Sequence, residues 1–93
     1  MPYRIEYSDE AERDLPRLPG NYRQRIKRLI ETLCQNPRPM DAKALRDRPT
    51  RFRIWIDRWR LIYEVDDESQ IVFILRVKRK RGPETYTGLD EAK

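Results

Sequence analysis

The fold is decided by the stretch FRIWIDRWRLIYEVDDESQIVFILRV, residues 52–77. It contains three runs rich in β-branched and aromatic residues, at 52–56, 60–65 and 71–77. The polar separators between these runs, 57–59 and 66–70, have the length of hairpin connections. The stretch therefore predicts a three-stranded antiparallel meander.

The residues before the meander predict one strand and two helices. Tyr3, Ile5 and Tyr7 alternate with charged residues as in a half-buried strand, and Ser8 is a suitable N-cap for a helix that follows at once. A second helix carries apolar residues at helical spacing, namely Tyr22, Ile26, Leu29, Ile30 and Leu33. We expect an α+β fold with an N-terminal strand, two helices and then the meander. Residues 36–50 are a polar connection, and the helices pack on one face of a four-stranded sheet.

Composition bounds the class of protein. The 93 residues are 40% charged, carry a formal net charge of +5 and include no histidine, and we expect residues 1–93 to form one domain. We expect neither export nor a membrane span, since the longest purely apolar run is 71–75. The single cysteine, Cys34, cannot form an intrachain disulfide, which fits the cytoplasm.

Strand alternation gathers cations on one face of the predicted sheet, because residues two apart in a strand share a face. We expect the more apolar set of each strand to pack on the helices; in the last strand this set is Ile71, Phe73, Leu75 and Val77. The opposite face then carries a basic site made of Arg51, Arg53, Trp55, Arg60, Arg76 and Lys78. Two alternatives remain open. The arginines pair with acids such as Asp57, Asp66 and Glu84, or a cationic run is merely a solvated surface.

These motifs resemble the RelE/ParE toxin superfamily over residues 3–86. The run WRLIYEV at 59–65, after FRIWI at 52–56, is similar to the family's "YRLVYEV"-type strand, and KALRDRP at 43–49 is similar to its "KKLKG" segment. The resemblance implies the toxin of a type II toxin–antitoxin system, of the RelE-like mRNA interferase branch. Such toxins cut messenger RNA in the ribosome and are neutralised by a cognate antitoxin.

The resemblance also implies site residues and no metal or cofactor. The catalytic residues would be Arg53, Arg60, Lys80, Arg81 and Tyr86. Strand alternation and the basic run after β-type residues, and not the resemblance, assign RNA binding to Arg51, Trp55, Arg76, Lys78 and Arg79. Trp55 departs from the pattern, because the best-known branch has a second basic residue there. Gly82-Pro83 lengthens the path to Tyr86, so Arg81 is an alternative to Lys80.

Cations and a tyrosine suit one reaction of RNA, in which the 2′-hydroxyl attacks the adjacent phosphate. Arg60, with Lys80 or Arg81, would stabilise the charged phosphorane, and nearby cations would favour the phenolate of Tyr86 as the base. The general acid is not assigned. Expected partners are a cognate antitoxin with an acidic, flexible segment, and the 70S ribosome with its messenger RNA, but no membrane. The alternatives are a ParE-like toxin that inhibits DNA gyrase without cutting RNA, and a generic nucleic-acid-binding module.

Overall fold

The computed structural model describes residues 2–80, so the predicted site residues Arg81 and Tyr86 lie outside the described part. Its elements are β1 (Arg4–Tyr7), α1 (Asp9–Asp14), a 3₁₀ turn (Leu15–Arg17), α2 (Gly20–Leu33), β2 (Lys43–Leu45), β3 (Arg48–Ile56), β4 (Trp59–Asp66) and β5 (Ile71–Arg79). The sheet order is β1-β5-β4-β3-β2. β1 runs parallel to β5, and the other pairs are antiparallel. The predicted α+β class, the N-terminal strand, the two helices and the antiparallel meander are confirmed.

The sheet has five strands within residues 2–80, one more than predicted. Lys43–Leu45 forms β2 and pairs with β3, which begins at Arg48 rather than at residue 52. The prediction that residues 36–50 form only a connection was therefore wrong. Three residues are too few to show alternation, so the pairing with β3 stabilises a strand that the local pattern does not reveal.

Both helices begin where local chemistry favours it. The Ser8 hydroxyl accepts a hydrogen bond from the Ala11 amide (3.0 Å) and donates one to the Leu75 carbonyl (2.7 Å). This hydroxyl caps α1 and also ties its start to β5. Pro16 lies in the 3₁₀ turn, and Pro19 precedes the first residue of α2. Neither described helix combines the length and apolar character that a membrane crossing requires.

The main core lies between the helices and one face of the sheet. From the helices and the connection between them it takes Ala11, Leu18, Ile26, Ile30 and Leu33, and from the meander it takes Phe52, Ile54, Ile56, Leu61, Tyr63, Val65, Val72, Ile74 and Val77. Tyr22 and Leu29, which share the apolar spacing of the second helix, are only partly buried against this core. In β3 and β4 the apolar set predicted from alternation does face the helices.

A β-bulge in β5 changes which residues of that strand face the core. Tyr63 pairs with Ile74 but Ile62 pairs with Arg76, so Leu75 is an extra residue without an opposite partner on β4. Val72, Ile74 and Val77 are buried. The predicted core set of β5 was therefore wrong except for Val77, because strict alternation cannot register an inserted residue.

The bulge also decides where the cations of β5 lie. Val72 and Ile74 face the core, so unbroken alternation would direct Arg76 and Lys78 into the core as well. The extra residue reverses the alternation, and both pair with β4 residues of the opposite face. The bulge thus takes Arg76 and Lys78 out of the core-facing set of β5.

Candidate functional site

Three rows of paired residues cross the face of the sheet that points away from the helices. The rows are Trp55–Arg60–Lys78, Arg53–Ile62–Arg76 and Arg51–Glu64–Phe73, each taking one residue from β3, β4 and β5. Directly paired residues share a face and bring their side chains close together. All six residues predicted for this face therefore lie in the three rows: Arg51, Arg53 and Trp55 on β3, Arg60 on β4, and Arg76 and Lys78 on β5.

Trp55 stands at the centre of a group of cations that we call the Trp55 cluster, made of Trp55, Arg53, Arg60 and Lys80. The guanidinium carbons of Arg53 and Arg60 lie 6.0 Å and 5.6 Å from the centroid of the indole ring. The Nζ atom of Lys80 lies 6.0 Å from the same centroid. The Lys80 amide donates to the Arg58 carbonyl at 2.7 Å, which holds the end of β5 beside the β3–β4 turn. Three residues that were predicted to be catalytic are thus brought together, while their roles stay a prediction.

Arg60 is the buried charged residue among those the structure describes, with 8% of its surface exposed. It lies on the central strand of the meander, between Trp55 on β3 and Lys78 on β5. Burial of a charge is unfavourable, because the guanidinium loses hydration. A cation held in this way has little freedom to change direction, which suits a group that must meet a phosphate in one orientation.

Glu64 lowers the positive charge at the opposite end of this face. Its Oε1 atom accepts from Nε and Nη2 of Arg51, at 3.2 Å and 2.9 Å, and its Oε2 atom accepts from the Thr50 hydroxyl at 3.1 Å. Arg51 was predicted to bind RNA, and the structure gives it an internal carboxylate partner. The positive charge of the face is therefore concentrated around the Trp55 cluster.

Arg76 is directed toward α1 rather than toward the Trp55 cluster. Its Nε donates to Oδ2 of Asp14 at 2.9 Å, and the same carboxylate oxygen accepts from the Val77 amide at 2.9 Å. The hydrogen bond to Asp14 raises the pKa of the Arg76 guanidinium. The alternative that the arginines pair with acids holds for Arg76, although Asp14 was not among the acids named. The sequence does not reveal this contact, because 62 positions separate the two residues.

The remaining predicted RNA-binding residues divide between the two faces. Lys78 is exposed and lies in the row of Arg60 and Trp55. Arg79 pairs with Trp59, which lies on the helix side of the sheet and packs against the core. Arg79 therefore lies away from the Trp55 cluster. Asp57, another predicted partner of the arginines, instead accepts from Tyr22 at 2.7 Å and from Arg25 at 3.1 Å.

Comparison with known proteins places this chain and its fold in one family. The profile of a family described as "ParE toxin of type II toxin-antitoxin system, parDE" matches residues 5–82. The mRNA interferase toxin RelE of Escherichia coli (strain K12) is 27% identical, over 94% of this chain and 93% of that protein. The putative toxin RelE1 of Methanocaldococcus jannaschii is 32% identical, over 88% of this chain and 94% of that protein.

A solved structure shares the fold. The toxin–antitoxin complex RelBE2 of Mycobacterium tuberculosis contains a chain that superposes with a TM-score of 0.74 at 30% identity, covering 86% of this chain and 100% of that one. The family profile and the M. jannaschii relative each span most of the chain. The protein therefore belongs to the RelE/ParE superfamily of toxins from type II toxin–antitoxin systems.

Proposed function

We propose that this toxin is an endoribonuclease that cuts messenger RNA on the ribosome and thereby inhibits translation. The observation that carries the proposal is the Trp55 cluster, in which Arg53, Arg60 and Lys80 share one ring on the face opposite the core. The E. coli relative named an mRNA interferase supports the same activity. The cytoplasm, where ribosomes are found, is the expected site of action.

The reaction that fits these residues is an internal transfer within RNA. The 2′-oxygen loses its proton and attacks the adjacent phosphorus, and the bond to the 5′-oxygen of the next nucleotide breaks. The leaving 5′-oxygen takes up a proton, from a general acid or from water, so the products are a 2′,3′-cyclic phosphate and a new 5′-hydroxyl. Arg60 and Lys80 would stabilise the extra negative charge of the phosphorane, and Arg53 would position the phosphate. Cationic side chains supply this stabilisation, so the proposal needs no metal ion.

Two predicted participants lie outside the described residues. Tyr86 is proposed as the base that removes the proton from the 2′-hydroxyl, and Arg81 as an alternative to Lys80. A site without histidine has no group that titrates near neutral pH without a shift in its pKa. The substrate must then arrive well aligned, since positioning alone contributes about 7–11 kcal/mol. Dependence on the ribosome follows if the ribosome holds the messenger in that alignment.

We also propose neutralisation by a cognate antitoxin. The related M. tuberculosis protein was solved in a toxin–antitoxin complex. The net charge of +5 and the cationic face favour an acidic, flexible antitoxin segment that orders on binding and covers the Trp55 cluster. Such a segment would block access of RNA and gain electrostatic complementarity at the same time.

A second candidate function has one observation in its favour. The matching family profile is that of ParE, which in the resemblance described above denotes inhibition of DNA gyrase without RNA cleavage. The retained Arg60 and the RelE relatives favour the nuclease. A supercoiling assay with purified gyrase separates the two functions directly, because only the second predicts inhibition.

The decisive experiment incubates the purified protein with ribosomes translating a defined messenger and maps the new 5′ ends. We expect ends that appear only with ribosomes, that vanish in Arg60→Ala, and that are suppressed by the product of a neighbouring antitoxin gene. Arg28→Ala is the matched control, because it removes one exposed cation from α2. Absence of cleavage by the unchanged protein, or equal loss in both variants, contradicts the proposal.

A further inference from the structure

Trp55 is a large aromatic residue on the face of the sheet that does not contact the main core. It is only partly buried, and the main core contains its neighbours Ile54 and Ile56 but not Trp55. The second tryptophan, Trp59, is directed to the opposite face and packs on that core. Burial in the core therefore explains Trp59 but leaves Trp55 without a comparable role.

The surroundings of Trp55 suggest a role in organising charge. Arg53 reaches the ring from the same strand, Arg60 from the neighbouring strand and Lys80 from the residue after β5. The three charge centres each lie within 6.0 Å of the centroid of the indole ring. No two of them are therefore further apart than twice that distance. Like charges at such separations repel each other, so a group that attracts all three makes it less costly to hold them side by side. The negative face of an indole attracts each cation and adds no positive charge of its own.

We propose that Trp55 is a positioning residue, which holds Arg53, Arg60 and Lys80 together through cation–π contacts so that they bind one phosphate group. The part concerning cleavage rests on the proposed function, whereas the part concerning phosphate binding does not. The ligand class is a phosphate, either of an RNA backbone or free in solution. Trp55 acts on it only through the three cations.

The chain allows a direct measurement of this arrangement. It contains two tryptophans, so Trp59→Phe leaves Trp55 as the only source of tryptophan fluorescence. Titration of that variant with inorganic phosphate should change the emission, because a phosphate bound by the three cations changes the electrostatic environment of the indole. In the unchanged protein, side-chain protons of Arg53 and Arg60 should show ring-current shifts in NMR spectra. These shifts should disappear in Trp55→Leu. Arginine side-chain shifts that are the same with and without the indole overturn the proposed geometry.

The affinity of Trp55 variants for phosphate tests whether the indole is needed for the three cations to bind it. NMR titration with inorganic phosphate should show about tenfold weaker binding by Trp55→Leu, the size expected when more than one cation–π contact is lost. Trp55→Phe should recover part of the loss, because a weaker π face remains. Trp59→Phe is the matched control and should bind as the unchanged protein does. Thermal unfolding of each variant separates a binding effect from a folding defect, and Trp55→Phe with the NMR shifts serves if Trp55→Leu does not fold.

A short oligoribonucleotide distinguishes this role from stacking on a base. If Trp55 holds the cations together, Trp55→Leu weakens the binding of inorganic phosphate and of the oligoribonucleotide alike. If Trp55→Leu weakens binding of the oligoribonucleotide but not of inorganic phosphate, Trp55 stacks on a nucleobase and the proposal is overturned. Unchanged binding of both ligands also overturns it. Cleavage is measured separately. A protein that binds phosphate through Trp55 but leaves RNA intact contradicts the proposed function and not this inference.

Discussion

At the scale of single residues, the site combines one buried cation with more exposed ones. Arg60 is 8% exposed, whereas Lys80 is exposed at the end of β5. The buried residue has its direction fixed by packing, and the exposed residue can adapt to a substrate. Arg60 should therefore be the residue on which charge stabilisation of a phosphorane depends most.

Replacement of Arg60 tests that dependence. We expect Arg60→Ala to lower the rate of messenger cleavage by about 10²–10³-fold, as for other groups that stabilise a transition-state charge. Arg60→Lys should recover only a fraction, because lysine keeps the charge but not the planar fork. Single-turnover cleavage on programmed ribosomes measures the rate, and thermal unfolding followed by circular dichroism verifies the fold of each variant. A rate for Arg60→Lys equal to that of the unchanged protein would show that charge alone matters.

A second prediction at this scale concerns the contribution of Tyr63 to stability. Its side chain is fully buried, stacks on Phe52 at 5.7 Å between ring centroids and donates to the Pro37 carbonyl at 2.7 Å. Burial raises the pKa of this phenol, so it remains a neutral donor across the working pH range. Tyr63→Phe leaves a buried carbonyl without its donor and should lower the free energy of unfolding by about 1–2 kcal/mol. Urea unfolding measures this loss. Tyr7→Phe, at a residue that is 39% exposed, should have a much smaller effect.

At the scale of elements, the contact between α1 and the edge of β5 supports the bulge. β1 pairs with residues 71–74 of β5, so the edge of β5 after residue 74 lies beyond β1. Asp14 closes this edge by accepting from the Val77 amide and from Arg76. Its side chain is 11% exposed and that of Arg76 is 41% exposed, so the carboxylate is largely sheltered from water while the guanidinium is partly open to it. One carboxylate thus holds the strand directly after Leu75, where the alternation reverses.

Removal of that charge should loosen the end of β5. We expect Asp14→Asn to lower the free energy of unfolding by about 1.5–3 kcal/mol, the usual range for hydrogen bonds to a charged group. It should also speed hydrogen exchange of the Val77 amide relative to amides in the first half of β5. Glu12→Gln, an exposed change on the same helix, is the control. Unchanged exchange at Val77 would contradict a role for Asp14 at this edge.

The turn between β4 and β5 carries a pH-dependent cluster. The Asp67 carboxylate accepts from the Tyr3 hydroxyl and from Arg38, each at 2.6 Å. These hydrogen bonds lower the pKa of Asp67, and the bond to Asp67 raises the pKa of Tyr3. A lowered acid pKa stabilises the fold above the unfolded value of 3.8, and this contribution is lost as the pH falls through the folded value. A raised tyrosine pKa stabilises the fold below 10.0, and this contribution is lost as the pH rises through the folded value.

The cluster therefore stabilises the protein between these limits. The melting temperature of Asp67→Asn should fall below that of the unchanged protein between about pH 5 and pH 9, and the difference should close toward pH 2. The side chains of Arg38 and Asp67 are both exposed, so added salt should reduce the difference. Asp66→Asn, at the neighbouring position, is the control. A difference that is constant from pH 2 to pH 9 would mean that the charge of Asp67 is not its source.

At the scale of the whole molecule, sequence patterns predict the strands and faces that follow from alternation and spacing. They miss the strands and ion pairs that depend on contacts between distant residues. The meander and the positions of Arg53, Trp55 and Arg60 follow from period-two alternation in β3 and β4. The three-residue β2 shows no such period, and a single inserted residue at Leu75 reverses the alternation in β5. The pairing of Arg76 with Asp14 joins elements that no local rule connects. The cationic face was thus predictable as a surface, while the convergence of Arg53, Arg60 and Lys80 on one indole required the three-dimensional structure.

At the same scale, RNA binding at a local site can be distinguished from general electrostatic attraction to the whole chain. A chain of net charge +5 binds RNA to some extent wherever its cations lie, and salt weakens all such binding. For single strands, the logarithm of the affinity falls against the logarithm of salt concentration with a slope of about −0.7 for each phosphate neutralised. If the Trp55 cluster is the binding site, Arg60→Ala should make this slope shallower by about 0.7, while Arg28→Ala on α2 should leave it unchanged. Fluorescence anisotropy of a labelled oligoribonucleotide at increasing KCl measures both slopes. Equal changes in the two variants would show that net charge, and not the arrangement around Trp55, governs RNA binding.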